Sequence, residues 1–149
     1  MTDAEYDPNL HAAQFQLFIT VQNRNPKSAY YGDYLWFGIP FYDNRNHIIP
    51  LYAAQDIAKG DATGKFIYSL GTNDFMKGTF HDMQWIDIQK DLYPHIIQAL
   101  DLAKKRGYLT GSFFEEFQLS GMNIGWEVPG TFDVEFEFKD FDMAAIFKK

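Results

Sequence analysis

Cysteine is missing from all 149 residues, which excludes a disulfide framework, a thiolate metal site and a cysteine nucleophile together. Long apolar runs are missing too: no stretch approaches the ~18–20 residues of a membrane span. The first residues, Met1-Thr2-Asp3-Ala4-Glu5, lack the basic and apolar regions of a secretory signal. The expectation is a soluble chain with no membrane partner. Extracellular placement applies if it is an excised module of a larger multidomain secreted protein, and the cytoplasm is equally open to a cysteine-free domain. Positive charge is scarce, with 13 Lys and Arg against 20 Asp and Glu and a net charge of −7. A nucleic acid backbone would be repelled by that field, and no basic patch opposes it: Lys104-Lys105-Arg106 reads as a helix end and Lys148-Lys149 as a terminus. Nucleic acid is therefore excluded as the expected partner.

Catalytic signatures are equally sparse. There is no phosphate loop, no Gly-x-Ser-x-Gly elbow, no His-Glu-x-x-His pair and no Gly-x-Gly-x-x-Gly after a strand. The four histidines, His11, His47, His81 and His95, stand at no metal-ligand spacing from one another.

What the chain has in quantity is apolar and aromatic side chains. A hydrophobic fraction of 46% against 22% charged residues is enough to offset the ordering entropy of one core, and the length fits one domain. Residues 1–12 are polar and irregular and read as a flexible arm, leaving 13–149 as the domain. Phe15, Leu17, Ile19 and Val21 alternate with polar partners, the pattern of a half-buried strand. Residues 34–42 are apolar on both faces, with Leu35, Phe37, Ile39 and Phe41 on one and Tyr34, Trp36 and Tyr42 on the other. Either both faces are covered or one lies in a ligand groove. Pro40 places a bulge or an edge there. Further strands are expected near 47–52, 65–70 and 83–88, in two stretches around Gly121, at 132–138 and at 143–147.

One helix is expected at about 91–106. Asp91 can cap it, Pro94 fits its first turn, and Leu92, Ile96, Ala99, Leu100 and Ala103 recur at helical spacing. Gly107 supplies a left-handed stop. With seven to nine strands and only one helix, a doubly wound parallel sheet is excluded. The expected class is mostly β, an antiparallel β-sandwich or jelly roll with one amphipathic helix.

The 18% aromatic content serves mainly as core, since Phe dominates it. Rings beside amides and carboxylates are also what a sugar requires, the ring face packing on C–H bonds while polar groups bond hydroxyls. By that criterion the ligand-binding candidates are Trp85 and Trp126 as platforms, Tyr31 as a loop contributor, and Arg45 with Glu127 as hydrogen-bonding groups. Against this, each indole is core in the ordinary case, and Arg45 with Asp43 simply ties a turn. Asp56, Asp61, Asn73 and Asp74 offer hard oxygen ligands in loops suited to a structural Ca2+, though no loop has the EF-hand order.

The aromatic strand Tyr34 to Tyr42, the isolated Trp85, and Gly125-Trp126-Glu127 running through Pro129-Gly130 into an alternating strand together resemble the jelly-roll carbohydrate-binding modules of bacterial polysaccharide-degrading enzymes. The likeness is one of layout, over residues 13–147, and the helix at 91–106 departs from it. It implies a non-catalytic module that binds a polysaccharide or oligosaccharide, often with a structural calcium. Two other readings stand beside it. A carbohydrate-active enzyme would use Glu127 as acid or base and need a second acid facing it. A protein-interaction or assembly module would use the same aromatics as a patch for another chain.

Overall fold

A computed structural model describes residues 7, 11–57, 60 and 62–146. The chain is built around β1 (Gln14–Asn23), whose side chains alternate between buried and half-buried without interruption. β1 pairs antiparallel with β2 (Tyr34–Asp43) on one side and with β5 (Phe117–Glu127) on the other. β4 (Phe66–Ser69) adds to β2 in the parallel sense, and β3 (Tyr52–Gln55) closes that edge antiparallel to β4. The result is one open, mixed sheet of five strands in the order β3-β4-β2-β1-β5.

The expected bulge at Pro40 is present. Phe15 faces Tyr42 while Gln16 faces Pro40, so Phe41 is the extra residue on β2. A second irregularity sets Thr20 opposite Gly121 and Val21 opposite Leu119, so Ser120 and Gly121 share one partner. That explains why the segment around Gly121 reads as two stretches yet forms one strand.

One face of the sheet carries the core. Leu17, Ile19 and Val21 of β1, Leu35, Phe37 and Ile39 of β2, and Phe66 and Tyr68 of β4 are buried there against Ala99, Leu100 and Ala103 of α2 (Tyr93–Lys105). The two alanines let the helix approach the sheet closely. Asp91 accepts the Tyr93 N–H at 3.0 Å at the start of α2, and Gly107 ends it at a positive φ of 89°. The short α1 (Thr72–Phe75) and a 3-10 turn at Phe80–Asp82 extend this layer through Phe75 and Phe80, both packed against Phe41.

The mostly β class is as expected, but the second layer among the described residues is helical and the sheet is open. β2 with β4 is a parallel exception to the antiparallel expectation. Four strand expectations are not met in place. The strand expected at 47–52 forms at Tyr52–Gln55, because Pro50 cannot donate to a ladder. Residues 83–88 and 132–138 join no ladder, nor do 143–146, with 147 outside the described residues. For 132–138 the reason is visible: Phe136 stacks on Phe15 at 4.1 Å and meets Phe80 at 5.0 Å, so side-chain burial rather than backbone pairing holds the segment. Its facing follows the alternation, with Phe132, Val134 and Phe136 half-buried and Asp133, Glu135 and Glu137 exposed, but Phe138 is 55% exposed and does not join them. Most of the 1–12 arm lies outside the described residues, although Ala12 is buried and donates to the Pro129 carbonyl at 3.0 Å. No helix among the described residues is long and apolar enough to cross a membrane.

The far end of β1 is fastened by polar groups. Asn23 is fully buried and its amide donates to Ser28 Oγ, Ser112 Oγ and Glu116 Oε2, while Asn25 donates to Glu116 Oε1. The Glu116 carboxyl also accepts the Phe113 N–H, and this bond, followed by that from Asn25, holds it below its ordinary pKa. By contrast the buried Tyr68 hydroxyl has no hydrogen-bond partner among the described residues.

Replacing Tyr68 by Phe removes that unpartnered hydroxyl, whose burial costs about 1–3 kcal/mol. Urea denaturation is expected to show a stability equal to or above wild type, and a loss of stability would reveal a partner for the hydroxyl. Phe136→Ala is expected to cost about 1–3 kcal/mol, below the ~3–5 kcal/mol of a fully buried Phe, because the ring is only half-buried. The denaturation midpoint checks it.

Candidate functional site

Both α-helices pack on the core face, which leaves the other face of the sheet without a helical cover among the described residues. Period-two alternation decides what stands on it. From β1 come Gln14, Gln16, Phe18, Thr20 and Gln22, all half-buried. From β2 come Tyr34 and Trp36, from β4 Ile67 and Ser69, and from β5 Gln118, Ser120, Asn123 and Glu127.

Three rings lie together on this open face. Phe18 meets Trp36 edge-on at 6.1 Å, and Trp36 meets Tyr34 edge-on at 5.2 Å. Gly38 makes room for them: a Cβ there would come within 2.8 Å of the Phe18 ring and 2.2 Å of Ser69 Oγ, so the ring rests directly over the β2 backbone. Trp36 Nε1 donates to Thr63 Oγ1 at 3.3 Å, which fixes the tilt of the indole, and the Lys65 ammonium sits 5.3 Å from the centre of the Tyr34 ring.

Amides and hydroxyls surround the rings. Thr20 and Ser120 hydroxyls are 2.8 Å apart, and Asn123 stands directly across from Phe18. At one end Gln14 faces both Asp43 and Glu127 in a cross-strand row; its amide donates to Asp43 Oδ2 at 2.8 Å, and that of Gln16 to Glu127 Oε2 at 3.3 Å. Asp43 is also clasped by Arg45, with Nε to Oδ1 at 3.0 Å and Nη2 to Oδ2 at 2.9 Å. Burial pushes the Asp43 carboxyl up, but the Arg45 side chain and N–H, with Gln14, outweigh it and hold the group below its ordinary value of 3.8. At the other end Gln22 donates to the Gly32 carbonyl, and Arg24 lies over the Tyr31 ring at 5.5 Å. The ten residues of β1 separate the two ends by roughly 30 Å at ~3.3 Å per residue.

Of the candidates read from the sequence, Arg45 and Glu127 stand at one end of this face and Tyr31, 51% exposed, at the other. Trp126 does not share it. It points to the core side, 5.2 Å from Phe15 and 5.7 Å from Tyr42, one residue and therefore one face away from Glu127. Trp85 is 69% exposed in the segment before α2, next to Ile86, which packs on the core cluster; it lies off the open face. The sequence reading missed Phe18, Trp36 and Tyr34 as a group. Its one signal was that residues 34–42 are apolar on both faces, as a strand with a helix on one side and a ligand platform on the other would be.

The calcium candidates are not gathered. Asp56 Oδ2 accepts the Thr63 N–H and hydroxyl in the β3–β4 loop, and Asp74 Oδ2 accepts the Gly71 N–H beyond the other end of β4, with Asn73 exposed beside it. Asp61 lies outside the described residues. Among the described residues no three His, Asp or Glu side chains form a metal-binding group. A cleft of about 230 Å³ between Asp33, Lys65, Phe66 and Tyr108 falls below the ~300 Å³ at which small-molecule pockets begin, and its Lys65 is already paired with Asp33 at 2.9 Å.

The histidines hold an arrangement that their spacing did not announce. His47 stacks on His81 at 4.0 Å, and His81 on Tyr42 at 4.5 Å, with His81 Nε2 2.9 Å from the Asp43 carbonyl. This column buttresses the Asp43–Arg45 turn from the core side. No known protein family, curated protein or solved structure matches the chain. The site is therefore read from its geometry.

Asp43 ties β2, β1 and the turn together, and its effect on stability has a definite sign with pH. Because its folded pKa is lowered, the stabilisation is complete above the ordinary carboxylate range and is lost as pH falls through 3.8 and below. Asp43→Asn is expected to cost about 1–2 kcal/mol at pH 7, discounted for the partly exposed Arg45. Denaturation at several pH values should show the gap to wild type shrinking below pH 4, and a gap that widens there would contradict the assignment.

Proposed function

We propose that the chain is a non-catalytic binding module that takes an extended polysaccharide or oligosaccharide along the open face of its sheet. The observation that carries this reading is the Phe18–Trp36–Tyr34 group set among Gln16, Gln22, Thr20 and Asn123 on a face that no helix of the described residues covers. Rings offer flat apolar area to sugar C–H surfaces, and amides both donate to and accept from hydroxyls. The ~30 Å length of the face suits a chain of sugars better than a single one. Arg45 with Glu127 and Tyr31 then serve as the two ends of one track.

The reading keeps from the jelly-roll resemblance the use of a sheet face as platform, with α2 standing where the second sheet of a sandwich would be. It is favoured over an enzyme using Glu127. The carboxylate nearest in the cross-strand row is Asp43, whose two oxygens are already taken up by Gln14 and Arg45 in holding β1, β2 and the turn together. Structural calcium belongs to the same proposal, since the resemblance implies it.

Titration of soluble glucans, mannans, xylans and galactans, followed by tryptophan fluorescence and calorimetry with and without a chelator, tests the proposal. Trp36→Ala is expected to weaken binding at least ~10-fold, the effect of losing about 1.5 kcal/mol of stacking. Trp85→Ala is expected to leave affinity within twofold. Unchanged affinity in Trp36→Ala, or failure of every glycan to bind the folded chain, would overturn it.

A further inference from the structure

β5 is an edge strand among the described residues, and apart from the irregularity at Ser120/Gly121 it carries none of the usual devices that keep an edge from pairing. Residues 117–126, Phe-Gln-Leu-Ser-Gly-Met-Asn-Ile-Gly-Trp, contain no charge and no proline. The strand pairs only with β1, so from Gln118 to Trp126 its outward N–H and C=O groups have no backbone partner among the described residues. Leu119 and Met122, on its core-facing side, are 50% and 57% exposed. The obvious occupant from the same chain is engaged elsewhere: the segment after Pro129-Gly130 crosses the core side and is anchored by Phe136 on Phe15.

We propose that β5 is the contact through which two copies of this chain associate, antiparallel and about a two-fold axis at Ile124. Three observations select a second copy. First, the chain has a net charge of −7, so two copies approach best along a strip without charge, and β5 is such a strip. Second, an antiparallel pair of identical strands is self-complementary and closes as a dimer. Third, the register has a natural choice. The irregularity at Ser120/Gly121 reverses the facing of the residues before it, so a pairing centred on Met122 would set core-facing side chains against open-face ones. Centring on Ile124 avoids this. Met122 then meets Trp126 of the partner subunit on the core side, and Asn123 meets Gly125 of the partner subunit on the open side.

The pairing would join the two open faces into one continuous surface. It does not depend on a glycan. A ladder of about five residues, 122–126, with Glu127 beyond its end, buries less than the ~1,200 Å² of a standard interface, so association in the micromolar range is expected.

The lack of cysteine makes the register directly testable. In an antiparallel pair centred on residue 124 the two Ile124 Cα atoms stand ~4.5–5.5 Å apart, within disulfide reach. In the same register the two Leu119 Cα atoms are separated by roughly 30 Å. Under mild oxidation Ile124→Cys is expected to form a covalent dimer and Leu119→Cys to remain monomeric. Sedimentation of the unaltered chain is expected to show a concentration-dependent dimer. Met122→Glu, a change at an exposed position that adds two acids beside the axis, should raise the dissociation constant at least ~10-fold while leaving the circular dichroism unchanged. A chain that stays monomeric into the submillimolar range overturns the proposal. So does Leu119→Cys cross-linking as readily as Ile124→Cys, or a dimer unaffected by Met122→Glu.

Discussion

The structure depends on the uninterrupted alternation of β1. It is the one strand with long neighbours on both sides, and its period of two sorts every contact in the sheet into core or open face. Leu17, Ile19 and Val21 are the apolar line against which α2 and β2 close, while Gln16, Phe18 and Thr20 are the floor of the open face. A slip of one residue would exchange these sets, placing amides under the helix. Polar clamps at its two ends hold the register: Asp43 with Gln14 and Arg45 at the start, Asn23 with Ser112 and Glu116 at the finish.

From that strand the site follows as a by-product of one-sided coverage. α2, α1 and the turn at Phe80 all pack on the side where Leu17 and Phe37 lie, and Phe136 joins them over Phe15. Among the described residues nothing helical remains for the opposite face, where the chain sets rings at the centre and amides around them. Gly38 is the quiet requirement here, because any larger residue would lift Phe18 off the strand and away from Trp36. The same economy leaves β5 with only one edge paired among the described residues, in a stretch of sequence that carries no charge from Phe117 to Trp126.

Much of the local structure was legible in the residues. β1, β2 and α2 lie where periodicity, caps and Gly107 put them, and Pro40 announced its bulge, because each of these is governed by neighbours a few residues away. The alternation at 132–138 was equally clear and named the right face for Phe132, Val134 and Phe136, yet no ladder formed. Alternation reports which side of a segment is apolar; it does not say whether a strand is available beside it.

The sequence by itself determined that the chain has one core, that strands dominate it, and that rings far outnumber catalytic signatures. It also determined which side chains share a face within each strand, since that is a matter of backbone period. Only the tertiary structure decided which face the helix would cover. That choice turned Trp126 toward Phe15 and left Trp36 on the open side, although the sequence treats both as aromatics in apolar strands. It likewise brought Arg45, Glu127 and Tyr31 to the ends of one surface and stacked His47 on His81. Proximity between residues tens of positions apart is set by strand order and register, and those arise from the packing of whole elements rather than from any motif within one of them.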